Sequence, residues 1–208
     1  MIQDDFAFEP IEGLPERLPA GETILWQGRP DAWSLTKASL AFWWVMGWLG
    51  LVAFWRILSV SDLLPLGQAI ASAFPVLFLA AIVGALLFLT AWAQARATVY
   101  TVTNRRIAMR IGAALTITIN LPFTQVSSAD LDLRKDGTGT IVLTTQGKTQ
   151  FSYLVLWPHI RPWRFPARPA LRCIPDAQHV AALIAEAAEA RLTMPQLSRH
   201  PAEQVAAE

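Results

Sequence analysis

The side chains of this 208-residue chain that could do chemistry are few: three histidines, one cysteine, one close pair of aspartates, and arginines set among tryptophans. His159, His179 and His200 are scattered and follow no metal-ligand spacing. Cys173 is the only cysteine, which excludes an internal disulfide and a multi-cysteine zinc site. It lies between Arg172 and Ile174, where positive charge lowers a thiol pKa, although an inert buried thiol is the commoner outcome. Asp130 and Asp132 sit two apart on an expected strand, so both face one side, as a solvated pair rather than an acid–base couple. GxSxG, a phosphate-binding loop, HExxH, paired CxxC and GxGxxG are all absent. The chain reads as a non-enzyme, with no catalytic residue, metal or cofactor to assign.

Charge layout says more. The stretch LWPHIRPWRFPARPALR, residues 156–172, interleaves Trp157, His159, Arg161, Trp163 and Arg164 with Pro158, Pro162, Pro166 and Pro169. The prolines restrict the backbone, so these side chains could be displayed to a partner at little further entropic cost. The alternative is that Trp157 and Trp163 cap a core while the arginines face water. A second basic set, Arg105, Arg106 and Arg110, lies in an interval with no acid between Asp62 and Asp130. Anionic headgroups attract such residues by about 1 kcal/mol each, or the arginines merely enforce topology. Aromatics among arginines also suit nucleic-acid stacking. Seventeen basic against sixteen acidic residues leave a net charge of +1, which favours a protein or headgroup partner and no nucleic acid.

These residues must be positioned by something, and hydropathy supplies the first element. The chain is 53% hydrophobic and 16% charged, with nine Trp, where a soluble domain is roughly 25% charged. Ala38 to Trp55 is eighteen residues without a charge, about 27 Å of helix at about 1.5 Å per residue and close to the hydrocarbon thickness. A second uncharged stretch lies between Asp62 and Arg96, strongest from Ala73 to Ala95. Arg17, Arg29 and Lys37 precede the first span and Arg96 follows the second, while Ser59 to Ser72 holds Asp62 and no Lys or Arg. The positive-inside rule then puts both termini in the cytoplasm of a multi-pass inner-membrane protein. The expected order is a cytoplasmic segment 1–37, transmembrane helices 38–58 and 73–95 around a periplasmic loop 59–72, a cytoplasmic domain 96–193 and a flexible tail 194–208. No signal peptide is expected, because the start is polar and acidic. Ser72 is a possible cap for the second span. Neither span carries a histidine to ligate a haem or chlorophyll, leaving only Gln68 and Gln94. Ala80 with Gly84, and Ala81 with Ala85, form small-xxx-small pairs that allow close helix approach and self-association as a homodimer.

After Arg96 the period changes to two. Ile107, Met109 and Ile111, then Leu115, Ile117, Ile119 and Leu121, then Leu131 and Leu133 alternate with polar or small residues. Asp136 to Gly139 reads as a tight turn into Ile141–Leu143, and Gln146–Lys148 as another into Phe151–Leu156. At least five short strands are expected within 97–156, forming a small antiparallel sheet or barrel. Val180, Leu183, Ile184 and Ala187 mark one stripe of a C-terminal helix that opens after Asp176.

The blocks LPAGETILWQGRP (residues 18–30) and YTVTNRRIAMRIG (100–112), around a charge-flanked hairpin, resemble the bacterial pleckstrin-homology-like (PH-like) membrane proteins. With DGTGTIVL, YLVLWPHIRPWRF and LRCIPDA added, the chain is similar to the photosynthetic-complex assembly proteins of purple phototrophic bacteria over roughly residues 18–177. The Pro-, Trp- and Arg-rich insertion departs from a plain pleckstrin-homology pattern. The resemblance implies a membrane α+β fold: a two-helix transmembrane hairpin plus a cytoplasmic PH-like antiparallel sheet or barrel with a C-terminal helix. It also implies a non-enzymatic role in reaction-centre assembly, with a secondary effect on the core light-harvesting complex. The partners implied are reaction-centre subunits, core light-harvesting polypeptides and a second copy of the chain. The alternative is a general membrane-anchored lipid-binding or scaffold protein unrelated to photosynthesis.

Overall fold

A computed structural model of the chain describes residues 11–113, 115–146, 151–161 and 165–193. The expected turn at Gly147–Lys148, the side chains of Trp163 and Arg164, and the tail 194–208 lie outside the described residues.

Two apolar helices form an antiparallel pair. A short helix α1 (Ala32–Ser39) comes first, its N-terminus capped by the Asp31 carboxylate, which accepts from Ser34 N–H at 2.7 Å. The chain then turns through Ala41, whose φ of 51° is left-handed, into α2 (Phe42–Val60). A single short helix α3 (Leu66–Ala71) separates it from α4 (Phe74–Ala97). Ser72 does not cap α4; it closes α3, its hydroxyl donating to Ala69 O at 2.7 Å. Gly84 on α4 leaves room for Phe42 and Met46 of α2, whose nearest atoms would stand 3.6 Å from a Cβ placed there. Both helices are long and apolar enough to cross a membrane, and only 6% of each hydrophobic window is buried. A helix serving as the core of a soluble protein would be mostly covered. Here Trp44 is 84% and Phe78 70% exposed, a surface that suits hydrocarbon rather than water.

Among the described residues, seven strands make two antiparallel sheets. The first runs β1 (Ile24–Gly28), β2 (Val99–Thr103), β3 (Arg106–Ile111) and β4 (Ile117–Pro122), in that spatial order. The second runs β5 (Val126–Leu133), β6 (Thr138–Thr145) and β7 (Ala170–Pro175). β1 belongs to this domain and not to a separate leading segment: Trp26 pairs with Val102 and Gly28 with Tyr100. The whole hairpin is therefore inserted between two neighbouring strands. Alternation sends Ile107, Met109 and Ile111 inward from one sheet and Ile141 and Leu143 from the other. α6 (Ala177–Thr193) closes the core with Val180, Ile184 and Ala187, each under a tenth exposed.

Residues 151–156 differ from the expected strand. Phe151 makes one isolated bridge to Ala167, and Tyr153–Leu156 is a single helical turn, α5. Tyr153 and Leu156, three apart, face the core while Leu154 is exposed. An unbroken apolar run carries no period to tell these two states apart.

Candidate functional site

The Pro- and Trp-rich segment crosses the place where the hairpin meets the sheets, and there it divides. Trp157 is 39% exposed and Arg161 is half-buried. His159 is fully buried, which corrects the expectation that it is displayed. Thr98, following the last turn of α4, donates its hydroxyl to Gln94 O at 2.7 Å, so it accepts from His159 Nε2 at 3.1 Å. That leaves Nδ1 as the acceptor for the Tyr100 hydroxyl at 2.6 Å. Tyr100 in turn accepts from Arg172 N–H at 3.3 Å. Burial, with the Arg172 charge behind it, pushes the His159 pKa down to about 3, so the ring is neutral at ordinary pH. Burial likewise raises the Tyr100 phenol above its usual range. This chain of hydrogen bonds ties α4, β2, the segment at 159 and β7 together.

Two further links fix α1 to the sheets. Asp136, in the β5–β6 turn, accepts from Lys37 Nζ at 3.0 Å and Ser34 Oγ at 3.1 Å. Hydrogen bonds from Thr138 first, then Lys37, hold its carboxyl well below the usual range. Leu35 of α1 packs with Ala91 and Ala95 of α4 and with Cys173 of β7. Cys173 is buried, consistent with an inert thiol, and Arg134 Nη1 donates to its sulfur at 2.8 Å.

The second basic set is structural in two of its three members. Arg106 Nε donates to buried Glu22 at 2.9 Å, and Arg105 Nη2 to Ala20 O at 3.0 Å. Both clamp the lead-in of β1 to the β2–β3 turn. Arg110 is half-buried on β3, opposite Val99. The four small residues of α4 also separate: Gly84 faces α2 of the same chain, Ala80 is half-buried, and Ala81 and Ala85 are exposed.

Beside the junction lies a cleft of about 660 Å³ whose wall includes Ala38, Thr140, Arg134, Arg161 and Arg172, with Asp130 and Asp132 on its β5 side. The sequence gives only an indirect signal of it, the acid-free interval from Asp136 to Asp176 in which two of these arginines fall. Arg134 comes from the end of β5, so local spacing does not connect it with the others. Among the described residues no three His, Cys, Asp or Glu side chains gather as a metal site. The arrangement suits recognition of an anion.

The sequence pattern of the bacterial PH domain matches residues 38–188. The chain belongs to the bacterial PH domain family. The match begins in α1 and includes both apolar helices, so in this bacterial PH domain the hairpin lies within the family region and β1 ahead of it. A protein of Rhodobacter capsulatus, described as an uncharacterized 23.7 kDa protein in the puhA 5′ region, is 45% identical over 205 residues. That similarity covers 97% of this bacterial PH domain protein and 95% of the relative. No solved structure matches it.

Proposed function

We propose that the chain is a non-enzymatic assembly factor for the photosynthetic reaction centre, with a secondary effect on the core light-harvesting complex. It would be a counterpart of the assembly protein PuhB, which its sequence blocks resemble. One observation carries the reading: the relative from Rhodobacter capsulatus, similar along nearly the whole chain, is described by its position upstream of puhA, a photosynthesis-related context. The geometry supports a tethered binding module, because the sheets are locked to the hairpin by Asp136, Arg172 and the His159 network rather than joined by a free linker. In this reading the chain sits in the intracytoplasmic membrane with both ends cytoplasmic. It binds reaction-centre subunits and anionic lipid there, and pairs with a second copy.

The test is deletion of the gene in its phototrophic host. Reaction-centre absorbance falls and is restored by the wild-type chain. An Arg161→Ala, Arg164→Ala variant accumulates normally yet fails to restore it. Unchanged reaction-centre levels in the deletion strain overturn the assembly role and leave a general lipid-binding or scaffold protein.

A further inference from the structure

We propose that the cleft between β5 and the end of α1 is a phosphate site, taking the headgroup phosphate of an anionic phospholipid or a free phosphate. Arg172 is only 4% exposed and has no carboxylate partner among the described residues. Its Nη1 donates to the carbonyls of Pro158 and Ile160, its Nη2 to that of Ala38, and its Nε is buried with no partner. Arg134 directs its two terminal nitrogens at Cys173 Sγ and Thr140 Oγ1. The Arg161 side chain has no polar partner among the described residues, and none of the three arginines forms an ion pair there. Asp130 and Asp132 share the cleft but pair with none of them.

Cations drawn together in a partly dry groove are costly unless an anion joins them. Burial above all, with a smaller contribution from the charge of Arg134, lowers the Arg172 guanidinium below its ordinary pKa range. Planar guanidinium groups match phosphate oxygens in pairs, which lysines do not. Ala38, whose carbonyl Arg172 holds, lies in α1 just ahead of Phe42, where the first apolar helix begins. The cleft therefore opens at headgroup level if the hairpin crosses a bilayer, and its volume accommodates a phosphoglycerol group. The lipid source rests on the membrane reading of the hairpin; neither source depends on the assembly role.

The full chain, purified in an uncharged detergent and stripped of lipid, is titrated with inorganic phosphate, with phosphatidylglycerol in mixed micelles and with diacylglycerol. Tryptophan fluorescence and thermal unfolding are followed. Phosphatidylglycerol binds saturably and diacylglycerol does not. Arg134→Gln with Arg161→Gln weakens binding by about tenfold or more. Asp130→Asn with Asp132→Asn tightens it by about two- to threefold, the scale of an exposed charge interaction. Those opposite signs separate recognition from damage, because a poorly folded protein loses affinity in both variants. A response to phosphatidylglycerol alone identifies the lipid as the source, and an equal response to inorganic phosphate identifies a soluble one. Equal binding of diacylglycerol, no response to either phosphate probe, or a folded arginine variant that binds normally overturns the site.

Discussion

His159 already accepts from the Tyr100 hydroxyl and donates to Thr98, so a second proton on its ring would turn the acceptor Nδ1 into a donor facing a donor. An unfolded chain titrates this residue near its ordinary 6.5, whereas in the fold the value is about 3. Between those values the unfolded state binds more protons, so stability rises with pH. The contribution is complete above about pH 6.5 and is lost as pH falls towards 3, with a slope of up to about 1.4 kcal/mol per pH unit. His159→Gln is expected to cost about 1–3 kcal/mol near neutrality while flattening that acid slope. Thermal unfolding of the full chain in detergent, followed by circular dichroism from pH 7.5 to 4.5, checks this. Parallel pH curves for variant and wild type would remove His159 from the acid response. The sequence marked this histidine as worth naming yet placed it outside. Its burial depends on Thr98, Tyr100 and Arg172, which the segment's own composition does not announce. Arg106 has the same history: a basic residue beside a membrane span, whose partner Glu22 lies on the far side of the inserted hairpin.

Strands β3 to β6 were legible from alternating or short apolar runs closed by local turns, whereas β2, buried at all five positions, carries no alternation that local spacing could read. β1 was not legible either: its five residues pair with a strand beyond both apolar helices, and no local period records that partner. α1 was missed for a similar reason, since Asp31 is a good cap but the following residues were absorbed into the approach to the first span. On α4, spacing found the small residues but could not say which stripe the hairpin itself consumes. The structure spends Gly84 on α2, which gives a prediction at this scale. Gly84→Leu must displace Phe42 and Met46, at a typical overpacking cost of about 1–3 kcal/mol, and lowers the melting temperature without acting first on self-association. Ala81→Leu with Ala85→Leu leaves the melting temperature unchanged and lowers the yield of crosslinked dimer in mild detergent. An undiminished dimer in the second variant moves the contact between copies off this helix face.

Across the whole molecule, the register of β1 on β2 places both flanks of the hairpin at one end. Whatever side of a membrane holds Ile24 must also hold Thr103. Accessibility tags at residue 20 and residue 193 are therefore expected to report the same face, and a tag at Leu66 the opposite one. Tags at 20 and 193 reporting opposite faces would mean an odd number of crossings and a β1 unable to reach its partner. The same inserted hairpin orders the birth of the protein. β1 leaves the ribosome first, but its partner follows seventy residues later, a delay of about 4–14 s at about 5–20 residues per second. During that interval both apolar helices are made and must find each other. Once paired they hold their two ends side by side, which removes most of the loop-closure entropy that a free chain of that length would lose. Completion of the sheet thus reports on the helix pair: a copy whose hairpin fails to form is left with an orphaned first strand and an open core.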